Sequence, residues 1–204
     1  MKQIKLYFIS SLFLSLIYLF TLVAYAQTNA ERVDHLLEQL QEPLDYESQQ
    51  EIKGAIIRIW EVSKSAELQD KINKIGYFIN LRQYQEAEDF LTEIINEQED
   101  FLDAYYKRAI VHYYQGEILE AEADLYRTLA IEPRHFDALK VLGLVLEKQN
   151  KISDALKVYT QLHKILPYDD KVIEKCQELN LIIYIYYQVL NLLLIEHLLN
   201  QHHK

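Results

Sequence analysis

Apolar residues through the middle of the chain return every three or four positions, the spacing of one face of an α-helix. In GEILEAEADLYRTLAIEP, residues 116–133, the stripe is Ile118, Ala121, Leu125, Thr128 and Leu129. Ahead of it Tyr105, Ala109 and His112 share a face at steps of four and three. Gly116 stands between the stripes, where a tight turn belongs, and Pro133 stops the second helix. The pattern then recurs at an offset of 34: Ile118 maps to Ile152, Ala121 to Ala155, Ile131 to Ile165 and Pro133 to Pro167. Leu139, Gly143 and Leu146 stand where Tyr105, Ala109 and His112 stood, and Asn150 replaces Gly116. Four matches at one offset mark a repeat whose unit is helix, short turn, helix. Small residues at 109 and 143, facing Ala121 and Ala155, let the paired helices approach closely.

A weaker unit precedes these two. Tyr84, Ala87, Leu91 and Ile95 keep the frame, but position 99 is Glu where the others have Pro. Gly76 lies 11 residues before Ala87 where the other units show 12, so either Ile75 takes the small-residue slot or the turn is one residue shorter. Upstream, Ile52, Ile56, Ile59 and Trp60 predict a helix over about 46–65 that packs on the first repeat. Downstream, Asp169 and Asp170 open a helix with favourable charge for its dipole, and Val172, Cys176 and Leu179 line its buried face. Residues 181–195, LIIYIYYQVLNLLLI, then carry no charge at all, interrupted only by Gln188 and Asn191. A closing helix has a polar outer face, so this tail does not belong to the pattern.

Four Gly and three Pro in 204 residues leave few turn-formers for a sandwich or barrel, which supports an all-α chain. The formal net charge of −10 becomes −12 once the first 26 residues, with Lys2 and Lys5, are set aside. A surface this acidic repels phosphate backbones, and nucleic acid is excluded as a partner. The single cysteine, Cys176, forms no internal disulfide and seeds no multi-cysteine metal site. Lys2 and Lys5, the uncharged run Leu6–Val23 and Ala24-Tyr25-Ala26 make the pattern of a secretory signal. Its 18-residue run also approaches the ~20 that span a bilayer, so a retained anchor is the alternative. Either way the rest of the chain is placed in the periplasm or otherwise outside the cytoplasm.

The repeat resembles the tetratricopeptide repeat, with period 34, small residues at its eighth and twentieth positions, a large residue at the twenty-fourth and proline at the thirty-second. Here those positions are Ala109, Ala121, Leu125 and Pro133, then Gly143, Ala155, Tyr159 and Pro167. The chain as a whole resembles short exported bacterial members of that family over roughly residues 50–180. The resemblance implies a right-handed superhelix of antiparallel helix pairs with flanking helices. The expected organisation is a signal or anchor over 1–26, an N-terminal helical segment over 27–66, and a degenerate repeat over 67–99. Repeats at 102–135 and 136–169 follow, then a closing helix at 170–180 and the apolar tail 181–204.

No catalytic constellation is present in the sequence. Ser63, Ser65 and Ser153 have no His/Asp pattern nearby, and no P-loop, Gly-rich dinucleotide turn, G-x-S-x-G or H-E-x-x-H occurs. His112 takes a slot that is usually aromatic in this repeat and reads as a packed, hydrogen-bonded histidine. His135 shapes the turn before a helix, and His202 and His203 lack the convergent ligands of a metal site. The expectation is a non-enzyme with no cofactor and no metal. What remains is the concave face, lined by the first helix of each pair. Its expected partner-binding residues are Asp103, Tyr106, Ile110 and Tyr113, then Asp137, Lys140, Leu144 and Glu147. Tyr106, Tyr113 and neighbouring Tyr114 are rigid anchors for a peptide, while Asp103, Asp137 and Glu147 favour a basic ligand. Some family members grip acidic chaperone C-termini with lysine and asparagine along this face. Only Lys140 matches that clamp here, so it is not carried over. The expected partner is a protein or peptide, and the alternative is a membrane-associated subunit docking through residues 181–204.

Overall fold

The computed structural model describes residues 28–62 and 66–202. The expected signal, with its cleavage site after Ala26, and the serines Ser63 and Ser65 lie outside those residues. Among the described residues there are helices and no strands. They run 28–39 (α1), Tyr46–Trp60 (α2), Ala66–Asn80 (α3), Tyr84–Glu97 (α4), Leu102–Gln115 (α5), Ile118–Ile131 (α6), Phe136–Lys148 (α7), Ile152–Ile165 (α8) and Asp170–His202 (α9). The chain divides into two compact units, one ending at Ile59 and one beginning at Trp60. In the first, Val33, Leu37, Leu40 and Ile56 are buried. Asp45 caps α2 there, its carboxylate accepting the Ser48 N–H at 2.8 Å.

The second unit is a series of helical hairpins, α3/α4, α5/α6 and α7/α8, followed by α9. Each helix from α3 onward packs on its successor, and α5 also touches α7. The tight turns within the three hairpins are the same structure three times. Arg82 (φ 58°), Gly116 (φ 86°) and Asn150 (φ 60°) all adopt the left-handed conformation, at intervals of 34. In each turn the next N–H reaches five residues back to a helix carbonyl at 2.9 Å: Gln83 to Phe78, Glu117 to His112 and Lys151 to Leu146. This ends a helix by satisfying a carbonyl that would otherwise lack a partner. The turns between hairpins repeat as well, with Gln98, Glu132 and Leu166 each donating to the carbonyl four residues back at 2.9 Å.

Packing follows that register. Leu91, Ile94, Leu125, Leu139, Leu142, Leu146 and Leu162 are essentially fully buried. Each contributes about 1.5–3 kcal/mol relative to exposure. Ile75, not Gly76, fills the twelfth position before Ala87, because Ile75 is fully buried while Gly76 faces open space. Gly143 is needed where it stands: a Cβ there would lie 2.4 Å from the Tyr159 ring of α8. Arg108 of α5 ties three helices together. Its Nε and Nη2 donate to the Asp124 carboxylate of α6 at 2.7 and 2.8 Å, and Nη1 donates to the Thr92 hydroxyl of α4 at 3.2 Å.

Two observations change the flanking elements. The helix expected over about 46–65 ends at Trp60, and that side chain does not find its ring partners in the first hairpin. It stacks on His135 and meets Phe136 at the start of α7. Helix α3 offers no aromatic ring on the side that faces α5, where Gln69, Ile72, Asn73, Gly76 and Ile79 stand, whereas His135 and Phe136 give the indole flat rings to stack on. Second, the closing helix and the tail are one continuous helix, α9, since no glycine or proline separates Leu179 from Leu181. Val172 and Leu179 are buried, as their spacing requires, and Cys176 of the same stripe is half-buried, while the side chains from Leu181 to Ile195 are solvent-exposed except for the half-buried Ile183.

The left-handed turn generates a stability test. A Cβ in that conformation costs about 1 kcal/mol or more, so Arg82→Gly is expected to stabilise the protein and Gly116→Ala to destabilise it by about that amount. Thermal unfolding should register each as a shift of roughly 2–4 °C in Tm, in opposite directions. Equal Tm values for wild type and Arg82→Gly would contradict the shared turn.

Candidate functional site

One face of the second unit is built by α3, α5 and α7. Along α5 the steps 103, 106, 110 and 113 keep to one stripe, and along α7 the steps 137, 140, 144 and 147 do the same. Between α3 and α5 lies a cavity of about 500 Å³. Ile72, Gly76 and Ile79 of α3 face Tyr106, Ile110 and Tyr114 of α5 across it, and Glu61 and Lys107 stand in its wall. Tyr114 is 57% exposed at its edge and stacks on Tyr84 at 5.6 Å, a rigid aromatic pair.

Beside the cavity the face is covered. The Trp60 ring lies parallel to His135, with centroids 4.5 Å apart, and 5.2 Å from Phe136. Tyr106 approaches the same imidazole at 5.0 Å. Lys107 bridges two carboxylates, Glu61 and Asp103, at 3.2 Å each. Asp103 is only 2% exposed, and its second carboxylate oxygen, Oδ2, is buried without a hydrogen-bond partner. Burial pushes its pKa up to about 6, with Lys107 opposing and Glu61 adding to the rise. Burial also works against the Lys107 charge, but Asp103 and Glu61 outweigh it and hold that ammonium above its usual pKa. Burial raises the Tyr106 hydroxyl as well, so it stays protonated at neutral pH.

His135 has a second task as the cap of α7. Its Nδ1 accepts the Ala138 N–H at 3.1 Å, which requires a neutral ring with the proton on Nε2. Burial pushes its pKa down to about 4.

Chain comparisons show what this arrangement is similar to. No family model matches the chain. A TPR repeat-containing protein of Rhizobium etli is 28% identical over 139 residues, covering 68% of this chain and 68% of the relative. One of Methanocaldococcus jannaschii is 31% identical over 83 residues, which are 41% of this chain and only 14% of that protein. Among solved structures, the first TPR of Spaghetti (RPAP3), bound to the HSP90 peptide SRMEEVD, superposes with TM-score 0.56 at 16% identity, over 59% of this chain and 96% of that one. The Sgt2 TPR domain from Aspergillus fumigatus gives 0.55 at 15% identity, over 61% and 83%. The chain is similar to tetratricopeptide-repeat proteins and has their fold, an all-α solenoid whose tight turns fall 34 residues apart.

The tetratricopeptide-repeat frame brings the eight expected residues to one face but leaves them in different states. Ile110 lines the open cavity, and Tyr106 is shared between the cavity wall and the covered region. Lys140 is exposed and Leu144 is 39% exposed. Tyr113 is half-buried with the Lys148 ammonium 4.9 Å above its ring. Asp103 is beneath the surface rather than on it. Glu147 accepts from the Tyr159 hydroxyl at 2.9 Å and from Lys175 at 3.2 Å, and Asp137 is half-buried. The acids singled out for a basic ligand are therefore largely engaged by the chain itself. Trp60, Glu61, Lys107 and His135 complete the face and were not in the sequence-derived set. Only Lys107 left a signal, four residues after Asp103 on the same helix.

His112 is packed and bonded as its slot requires, with Nδ1 2.6 Å from Glu117 and Nε2 3.6 Å from Asp124. Glu88 also lies near this group, and its carboxylate accepts from Gln115 at 3.1 Å. The same contact recurs 34 residues on between Gln149 and Glu122 at 2.6 Å. These polar atoms tie one hairpin to the next.

The capping role of His135 predicts a pH dependence. A depressed folded pKa means that its neutral form contributes stability above the ordinary value of 6.5, lost as pH falls toward about 4. His135→Asn keeps an acceptor for Ala138 but does not titrate. Chemical denaturation across that window should show wild type losing roughly 1–3 kcal/mol relative to the variant. Asp103 titrates in both proteins and cancels in the difference. A flat difference would overturn the neutral-acceptor assignment.

Proposed function

We propose that the protein is a non-catalytic interaction scaffold outside the cytoplasm that holds a peptide segment of a partner protein on the face formed by α3, α5 and α7. The observation that carries this reading is the cavity between α3 and α5, walled by Tyr106, Ile110 and Tyr114 with the charged groups of Glu61 and Lys107 beside them. Rigid aromatic walls beside a few fixed polar groups suit capture of an extended chain. Support also comes from solved relatives in fold that hold peptides, including Spaghetti with its HSP90 peptide and the Yersinia enterocolitica chaperone SycD with a peptide of YopD. The placement outside the cytoplasm rests on Lys2, Lys5, the apolar run and Ala24-Tyr25-Ala26.

A specific observation favours a second component, attachment to a lipid bilayer through α9. From Leu181 to Ile195 its large apolar side chains other than the half-buried Ile183 are 41–66% exposed. A helix apolar all round is stable in an apolar surrounding, and here no hairpin covers it. Asp170–Ile195 is long and apolar enough to cross a membrane by length and composition. Tyr184, Tyr186 and Tyr187 cluster near the start of the uncharged run, where amphipathic rings suit the headgroup level.

Two experiments test these components. A photo-crosslinking residue at Ile110, compared with one at Arg127 on α6, should give a discrete adduct in native membranes from Ile110 only. Gly76→Phe, which enters open space, should abolish that adduct while preserving helicity. Equal labelling at both positions, or an adduct indifferent to Gly76→Phe, contradicts the groove. Deleting residues 181–204 should move the protein to the soluble fraction after membrane separation. Retention in the membrane fraction would remove α9 from the account, provided an N-terminal sequence read shows the signal to have been cleaved.

A further inference from the structure

The face that is proposed to receive a partner already holds two residues of the chain itself. Trp60 is 7% exposed, although it follows directly on the end of the first compact unit and precedes the hairpins. Its ring is sandwiched into the aromatic corner of His135 and Phe136, and Tyr106 closes on the same imidazole. The next residue, Glu61, reaches Lys107 at 3.2 Å. Adjacent residues thus supply an aromatic anchor and a paired charge, the two elements by which repeat grooves hold peptides.

The corner is suited to this occupant in particular. His135 is held flat and neutral by its bond to Ala138, so it stacks on the indole as an uncharged ring. Lys107 is the cation at the corner, and its ammonium lies 3.2 Å from Asp103 on its own helix and 3.2 Å from Glu61. An acidic side chain beside the aromatic one therefore has a counter-charge in place, whereas a basic one would meet Lys107. The charge preference is opposite to the basic ligand that Asp103, Asp137 and Glu147 suggested from sequence.

We infer that Trp60 and Glu61 are an internal ligand of the groove, and that the external partner carries the same chemistry, an aromatic residue followed by an acidic one, and displaces them to bind. This rests on the groove reading above and names its ligand class. A tethered ligand competes at high effective concentration, so the groove is available to a partner only in the fraction of molecules whose Trp60 has left. Removing the internal ligand should tighten binding of an external one by the inverse of that fraction.

The test uses the full-length protein and a fluorescein-labelled synthetic peptide with the sequence of residues 57–64, IRIWEVSK. Fluorescence anisotropy should show the peptide binding Trp60→Ala at least about tenfold more tightly than wild type. Replacing the peptide's tryptophan by alanine, or its glutamate by lysine, should abolish binding. Lys107→Glu in the Trp60→Ala background should reverse the charge preference, so that the lysine peptide now binds better than the glutamate one. A second arm does not depend on the folding of the variant. Trp60 is the only tryptophan, so its emission reports on the corner directly. An unlabelled peptide with phenylalanine in place of tryptophan should shift wild-type emission to the red as the indole is released to water.

No binding to a Trp60→Ala protein of wild-type helicity, together with no red shift in wild type, overturns the internal-ligand proposal. If the Ile110 adduct persists in that case, the partner enters through the α3/α5 cavity alone and the groove reading survives. If the adduct is also absent, both fall.

Discussion

A backbone N–H that reaches five residues back to a helix carbonyl, at 2.9 Å in each of three turns, is the interaction on which the rest of the second unit depends. It is available only when the residue before it turns left-handed, which Arg82, Gly116 and Asn150 all do. Because those residues are 34 apart, each hairpin presents the same side to the next. Small side chains then meet large ones in register, as Gly143 meets Tyr159, and Gln115 and Gln149 find the same glutamate position in the hairpin before. Stability in such an array is a sum of hairpins and their interfaces, so no long-range pairing is needed to hold it.

The same register leaves one side of α3, α5 and α7 outside the packing between hairpins. Packing takes Tyr105, Ala109 and His112 on α5 and Leu139, Gly143 and Leu146 on α7, and what is left over forms the face. That face is uneven. Between α3 and α5 it opens into a cavity because Gly76 carries no side chain to fill it. At the start of α7 it is closed by Trp60. The energetic difference between the halves lies in desolvation. Asp103 and His135 are withdrawn from water, which raises the one pKa and lowers the other, while Asp103 and Glu61 hold the Lys107 ammonium charged against its burial.

Much of the fold was legible in the sequence because period and punctuation agreed. Gly116, Pro133 and Pro167 mark ends, and the apolar steps of three and four mark faces. The first hairpin was harder to read because its left-handed residue is arginine, which carries no turn signature, so only its register with Gly116 and Asn150 reveals it. Ile75 in a small-residue slot was legible as one of two alternatives, and burial decided between them. The continuity of α9 through Leu181 was obscured by a change in composition that involves no change in conformation. On the face itself, helical spacing brought eight residues to one side but could not rank them. Burial of Asp103 and the seating of Trp60 on His135 arise from residues 40 to 75 positions apart in sequence, and no periodicity encodes that.

The central claim is that ligand recognition belongs to the side built by α3, α5 and α7. Hydrogen–deuterium exchange of the full-length Trp60→Ala protein with and without saturating IRIWEVSK peptide tests it most directly. The account expects slowed exchange confined to the start of α5 and α7 and the facing part of α3, with α4, α6 and α8 unchanged. Protection centred on α4, α6 or α8, or no protection anywhere at saturation, would contradict it.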